Sequence, residues 1–224
     1  MLLYALQPIY VETVLRPRYE SFFDKMVIQN IVKDWEKSKK LFQNEDVESI
    51  PGIIRVGNPG AKFQIVELSD FECPFCQRVA PVLKSVLEKH TKNIDLILLN
   101  YPLDKSCNTA MQHDLHEFSC ELSRIVIAKT LVDQQAGFEL HEKIMVENLV
   151  TESDVKNLQD QVYTSDLNMS QVEDSLQQQI DFGIRIEVAG TPSIFINGKR
   201  LTYSSFYQIE DVINQIVSET EVTS

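Results

Sequence analysis

Cys73-Pro74-Phe75-Cys76 places two thiols with two residues between them. An apolar, strand-like run precedes the tetrad and a helix-like segment follows it. At that spacing the two sulfurs can close a small disulfide ring on the first turn of a helix. There the unpaired N-terminal N–H groups and the helix dipole favour a thiolate on the leading sulfur. Cys73 is therefore the expected attacking thiol. Cys76, one turn into the helix, is expected to be more buried and to resolve a mixed disulfide at Cys73 by attacking it. Pro74 and Phe75 add no charge to the ring. The same spacing also admits zinc, but a four-thiolate site would need Cys107 and Cys120 to converge on the tetrad. Twelve residues separate those two, so they do not form a second Cys-x-x-Cys. Incidental cysteines are the third alternative. The strand-to-helix junction favours the redox pair.

The elements that must position the tetrad can be read from hydrophobic period. Phe63 to Ser69 suits a central strand, residues 74 to 90 a helix and Ile94 to Tyr101 a second buried strand. Pro74 falls in the first helical turn, where a missing N–H costs nothing, and Pro81 falls mid-helix. Arg18 to Leu41 has the spacing of a long amphipathic helix. Asn44 to Ser49 reads as a polar linker, Ile53 to Val56 as a short strand and Gly57-Asn58-Pro59-Gly60 as a turn. From Ser106 to about Val188 the period is helical, with a break expected at Gly137 and helix starts at Thr151 and near Ser170. Ser193 to Leu201 reads as a hairpin turning at Asn197-Gly198. Ser204 or Ser205 could cap a last helix. A parallel strand pair joined by a helix, followed by antiparallel strands, gives a mixed sheet flanked by helices.

The chain has 224 residues, 43% of them hydrophobic, enough for a substantial core. Thirty-three acids against 21 bases give a net charge of −12, which argues against nucleic acid and against an anionic membrane face. Four cysteines are too few to build a disulfide-framed mini-fold. The histidines, His90, His113, His116 and His141, show no ligand spacing and read as surface or helix-end residues. Met1 to Leu15 is apolar but interrupted by Pro8 and Glu12. It admits a docking helix, the remnant of a membrane anchor, or a signal peptide.

Phe71-Glu72-Cys73-Pro74-Phe75-Cys76 together with Thr191-Pro192 resembles the thioredoxin superfamily, and the helical block resembles its DsbA-like branch. Gly57-Asn58-Pro59 and Val66-Glu67-Leu68-Ser69-Asp70-Phe71 are typical of that branch. The resemblance covers about residues 50 to 218. It implies an α/β thioredoxin-like fold with a mixed central sheet and an inserted all-helical domain. The thioredoxin-like domain would be residues 50–105 and 188–224, the insertion 106–187, and residues 1–49 an N-terminal extension. It implies that Glu67 is a buried acid exchanging a proton with Cys76, where a bare reading of the residue leaves a solvated or paired strand acid open. It implies that Pro192 is a cis-proline facing the disulfide, against an ordinary trans turn proline. It also implies a helix kink at Pro81. Thr191 and Pro192, with Pro74 and Phe75, would shape the substrate-facing edge.

Cys107 and Cys120 lie in a stretch resembling a paired element of some DsbA-like proteins, including domains fused to a vitamin K epoxide reductase-type membrane partner. A structural disulfide, a redox relay or regulatory pair, and two free thiols all remain open for them. The implied activity is thiol–disulfide exchange on unfolded or partly folded cysteine-containing proteins, in the oxidase direction. It needs no cofactor beyond the Cys73–Cys76 disulfide. A DsbB-like or vitamin K epoxide reductase-like, quinone-linked membrane partner would reset it. The setting is extracytoplasmic or periplasmic, with anchoring through the N-terminus as an option. An isomerase or reductase on the same scaffold, and a non-catalytic chaperone or binding module, are the alternatives.

Overall fold

The computed structural model describes residues 16–203 and 205–219. The apolar run through residue 15 and the candidate cap Ser204 lie outside them. The described residues fall into two compact units. One joins residues 16–38 with 202–219 and contains α1 (Arg16–Lys37) and α8 (Tyr207–Glu219). These helices pack on each other. Ile28 and Val32 are buried on α1, and Ile209, Val212, Ile213 and Ile216 on α8, at the three- and four-residue spacing of one helix face.

The other unit, Lys39–Leu201, contains everything else. In chain order these are α2 (Asn44–Glu48), β1 (Ile54–Gly57), β2 (Phe63–Ser69), α3 (Pro74–Lys89), β3 (Ile94–Asn100), α4 (Ser119–Val132), α5 (Gln134–Glu147), α6 (Glu152–Val162), α7 (Met169–Arg185), β4 (Ser193–Ile196) and β5 (Lys199–Arg200). The sheet order is β1-β3-β2-β4-β5. Only β2 and β3 run parallel; the other pairings are antiparallel. This is the thioredoxin-like mixed sheet flanked by helices. All residues of β2 and β3 are buried, so both faces of the sheet centre are covered. On one face Val66, Leu68, Ile97, Leu99 and Phe195 share a core with Ile127 and Ala128 of α4 and Leu176 and Ile180 of α7. The inserted helices therefore belong to the compact unit of the sheet. The hairpin turns at Asn197 and Gly198, with φ of 50° and 76°, the left-handed pair that a type I′ turn needs.

Two expectations about the helical block change. Residues 106–118 are turns, not helix. Short polar side chains take up the backbone donors there: Asp104 accepts from the Ser106 N–H, Asn108 from Ala110, and Asp114 from Lys105. Gly137 does not break the helical run; it lies inside α5. The break is Asp133, extended at φ −152°, which ends α4 and caps α5 by accepting from the Ala136 N–H at 3.0 Å. Gly137 serves the crossing of those helices. A Cβ there would overlap Thr130 Oγ1 and stand 2.8 Å from the Thr130 Cα and Cβ. The substitution Gly137→Ala is therefore expected to destabilise by roughly 2 kcal/mol despite its better helix propensity. A shift of the urea midpoint to lower concentration at constant slope checks this, and an unchanged or raised midpoint contradicts it.

Candidate active site

β2 ends at Ser69, and residues 70–72 turn the chain from the sheet edge into α3. The turn closes on Asp70, whose side chain has no exposed surface. Its Oδ1 accepts the N–H groups of Glu72 and Cys73 at 2.8 and 3.1 Å. Its Oδ2 accepts the Leu103 N–H, from the loop after β3, at 2.6 Å. Glu72 makes a second link: Oε2 accepts the Phe118 N–H at 2.6 Å, while burial raises its pKa. The loop supplying Leu103 and Phe118 is closed by a Cys107–Cys120 disulfide with Cα atoms 6.0 Å apart. Those two sulfurs are thus spent on each other, which removes them from the four-thiolate alternative.

Cys73 is the N-cap of α3, extended at φ −72° and ψ 114°, with Pro74 at the first helical position. Both tetrad thiols are free and buried, but their surroundings pull them apart. Cys73 is held down to about 5. The Cys76 thiol does most of this by donating to it, helped by the backbone N–H groups of Cys76 and Phe75, against the cost of burial. Cys76 is pushed well above its ordinary value, first by burial and then by Cys73 and Glu67. Facing Cys73 is the loop before β4, where the Thr191–Pro192 bond is cis. The Cys73 thiol donates to the Thr191 carbonyl at 3.4 Å. The Thr191 hydroxyl oxygen is buried without a hydrogen-bond partner among the described residues. Pro74 and Phe75 are exposed beside the buried thiols, Phe75 at 47%.

Glu67 lies mid-β2 between Leu98 of β3 and Ile194 of β4. It is buried, and neither carboxylate oxygen has a hydrogen-bond partner among the described residues. Desolvation raises it to about 8, with added repulsion from Glu142 and Cys73. The solvated and paired alternatives for this acid therefore do not hold.

Two histidines correct the surface reading. His141 of α5 is buried, its ring 5.4 Å from Phe71 edge-on and its Nδ1 3.5 Å from Glu142. His116 is half-buried, with Nδ1 2.9 Å from Asp70 Oδ1. Charge and spacing could not reveal either, because each reaches the site from a distant element. Glu142 reaches the site from α5 in the same way, whereas Asp70 carries a local signal, an acid directly after a buried strand and three residues before a cysteine. His113 is exposed and His90 ends α3, as expected.

A thiol pair at a strand-to-helix turn, facing a cis-proline loop on a mixed sheet, is a thioredoxin-like site with the groups that thiol–disulfide exchange needs. Residues 49–215 match the thioredoxin family model, and the chain belongs to that family. The fold is similar to the catalytic domain of Proteus mirabilis ScsC, with a TM-score of 0.61 and 19% identity over 78% of this chain and 94% of that one. It is similar to a periplasmic thioredoxin-like protein from Salmonella enterica serovar Typhimurium, with a TM-score of 0.62 and 20% identity over 79% of this chain and 98% of that one. At those identities the likeness is one of fold. Over 168 residues the chain is 23% identical to the Na(+)/H(+) antiporter NhaA 3 of Salinispora tropica. That match takes 70% of this chain and 23% of the antiporter, so the chain spans about a quarter of the length of the curated relatives it matches. No helix among the described residues is long and apolar enough to cross a membrane.

Two titrations follow from this geometry. Thiolate absorbance of the reduced protein is expected to rise with a midpoint near pH 5 from Cys73. Cys76→Ala removes the chief donor to Cys73 and should move that midpoint upward; an unmoved midpoint would refute the assignment. For Glu67, the folded dithiol form keeps its proton to about pH 8, while the unfolded chain releases it near 4.5. The folded state binds more protons between those values, so stability falls as pH rises through that window. Relative to Glu67→Gln, the wild type should lose on the order of 4 kcal/mol between pH 4.5 and 8, then level off. Parallel urea curves of the two proteins across pH measure this.

Proposed function

We propose that the chain is a protein thiol oxidase of the DsbA-like kind. The observation that carries this reading is the opposed pull on the two thiols, Cys73 down to about 5 and Cys76 well up. A stabilised Cys73 thiolate favours the dithiol over the disulfide and leaves readily in the second exchange, so the pair tends to pass its disulfide on to a client. In the forward reaction a client thiolate attacks Cys73 Sγ, the Cys73–Cys76 bond breaks, and Cys76 leaves with the electron pair. Cys76 then takes a proton, for which Glu67 is the buried source. A second client thiolate attacks the client sulfur joined to Cys73. The client disulfide forms and Cys73 departs as thiolate. The client has lost two electrons and the Cys73–Cys76 pair has gained them. Thr191 and Pro192, with exposed Pro74 and Phe75, offer the edge along which an extended client chain lies. The redox disulfide serves as the only prosthetic element, and a quinone-linked membrane oxidoreductase takes the electrons back.

A settled Cys107–Cys120 disulfide fits an oxidising, extracytoplasmic compartment. The periplasmic description of the Salmonella relative supports the same setting. The match to Na(+)/H(+) antiporters, of which this chain spans about a quarter, supports a membrane-linked setting.

Equilibration of Cys73–Cys76 in glutathione buffers tests the direction. A potential close to the roughly −120 mV of DsbA is expected, and one close to the roughly −270 mV of thioredoxin would overturn it. Cys76→Ser, with Cys73 first charged as its mixed disulfide with glutathione, should pass that bond to reduced client proteins: a client thiolate attacks Cys73 Sγ, glutathione leaves as thiolate, and a Cys73–client mixed disulfide accumulates because no Cys76 can resolve it. If no covalent client forms, the chain is a binding module rather than an oxidase.

A further inference from the structure

The turn that carries Cys73 is folded around a negative charge. Asp70 has no exposed surface, and its Oδ1 holds the N–H groups of both Glu72 and Cys73. A carboxylate in that place works against a thiolate on Cys73, because like charges in a poorly screened setting repel. The tetrad supplies no cation of its own, since Pro74 and Phe75 are neutral. One comes from the loop after β3. His116 Nδ1 stands 2.9 Å from the same Asp70 Oδ1, an ion-pair contact by distance rather than an aligned hydrogen bond. The titratable groups that bear on His116 are Asp70 first, then Glu72 and Cys73, all favouring the imidazolium against the cost of burial. The loop that delivers His116 is fixed at several points. Leu103 donates to Asp70 Oδ2 and Phe118 to Glu72 Oε2, each at 2.6 Å. The Leu115 N–H donates to the Leu103 carbonyl at 3.1 Å, and the Cys107–Cys120 disulfide spans the segment.

We propose that His116 is a positioning residue for the Cys73 thiolate, acting through Asp70: its imidazolium offsets the buried carboxylate around which the Cys73 turn is folded. The inference rests on the reading of Cys73 as the reacting thiol and adds the group that sets its charge balance. While His116 keeps its proton, Asp70 can bind the two N–H groups of the turn without presenting an uncompensated charge to the sulfur. When His116 loses its proton, a thiolate on Cys73 becomes more costly.

Two measurements test this. The first is an NMR titration of His116 in the unaltered protein, in its dithiol and disulfide forms. Coupling is reciprocal, so His116 should titrate roughly one pH unit higher in the dithiol form, where Cys73 bears charge. The second is the thiolate midpoint of Cys73 in His116→Gln, expected to rise by roughly one pH unit, a tenfold change in the proton-binding constant. Asp70→Asn combined with His116→Gln removes both charges and should bring the midpoint back toward wild type, whereas a merely structural role would make the double variant worse. Equal His116 midpoints in the two forms, a wild-type Cys73 midpoint in His116→Gln, or no recovery in the double variant overturns the proposal. If His116→Gln does not fold, the titration of the unaltered protein decides. An ordinary thiol midpoint for Cys73 in the wild type is a different result, and it sinks the oxidase reading itself.

Discussion

A carboxylate without solvent contact has to find its donors inside the protein, and Asp70 draws them from two separate stretches of chain. Glu72 and Cys73 come from its own turn, and Leu103 from the loop after β3. An unsatisfied buried carboxylate would cost several kcal/mol, so these contacts are made together or the turn does not form as it stands. The consequence reaches the chemistry. The turn fixes where α3 begins, and the start of α3 places Cys73 at the N-cap with the N–H groups of Phe75 and Cys76 directed toward its sulfur. The β3–α4 loop, with its disulfide, is thereby part of the site's framework rather than a remote brace.

The asymmetry between the two thiols then needs little more than position. Cys73 caps the helix and is in contact with Thr191; Cys76 is one turn deeper, with no exposed surface and with Glu67 nearby. Each thiol also shifts the other, because a proton on Cys76 can be shared with a charge on Cys73. The hydrogen bond between the thiols that this spacing allows lowers Cys73, and burial one turn deeper raises Cys76. This is why a tetrad with an apolar Pro-Phe centre can still hold a strongly acidic leading thiol.

What could be read from the sequence follows the same division between local and long-range causes. The strands Phe63–Ser69 and Ile94–Asn100, the helix from Pro74, the Asn197-Gly198 turn and the Thr151 cap have local signals, and they stand where periodicity and turn chemistry put them. Their order is that of a mixed sheet flanked by helices, the resemblance implies the thioredoxin-like fold, and the structure brings Cys73, Cys76, Glu67 and Thr191 to one site. Gly137 misled because glycine serves two ends: it breaks helices, and it also lets two helices cross closely, as α4 and α5 do over Thr130. Residues 106–118 misled because their spacing is helical while Asp104, Asn108 and Asp114 claim the backbone for turns. His116 and His141 could not be placed without knowing which loop and which helix return to the Cys73 turn.

Glu67 shows why such long-range placement matters to mechanism. In register it is flanked by Leu98 and Ile194, so neither neighbouring strand offers it a countercharge. Its polar surroundings come instead from α5, where Glu142 adds repulsion and His141 lies against Phe71. Desolvation and like charge act in one direction, and at neutral pH the acid keeps its proton. On the proposed reading that is the state in which it is useful. A Cys76 sulfur leaving a broken disulfide carries a charge into a site that disfavours it, and a neutral carboxylic acid beneath the site can quench that charge with a proton already in place. A countercharged acid on the same strand would have surrendered its proton long before and could only have accepted one. The absence of a cation at Leu98 and Ile194 is thus as much a part of the site as the two sulfurs.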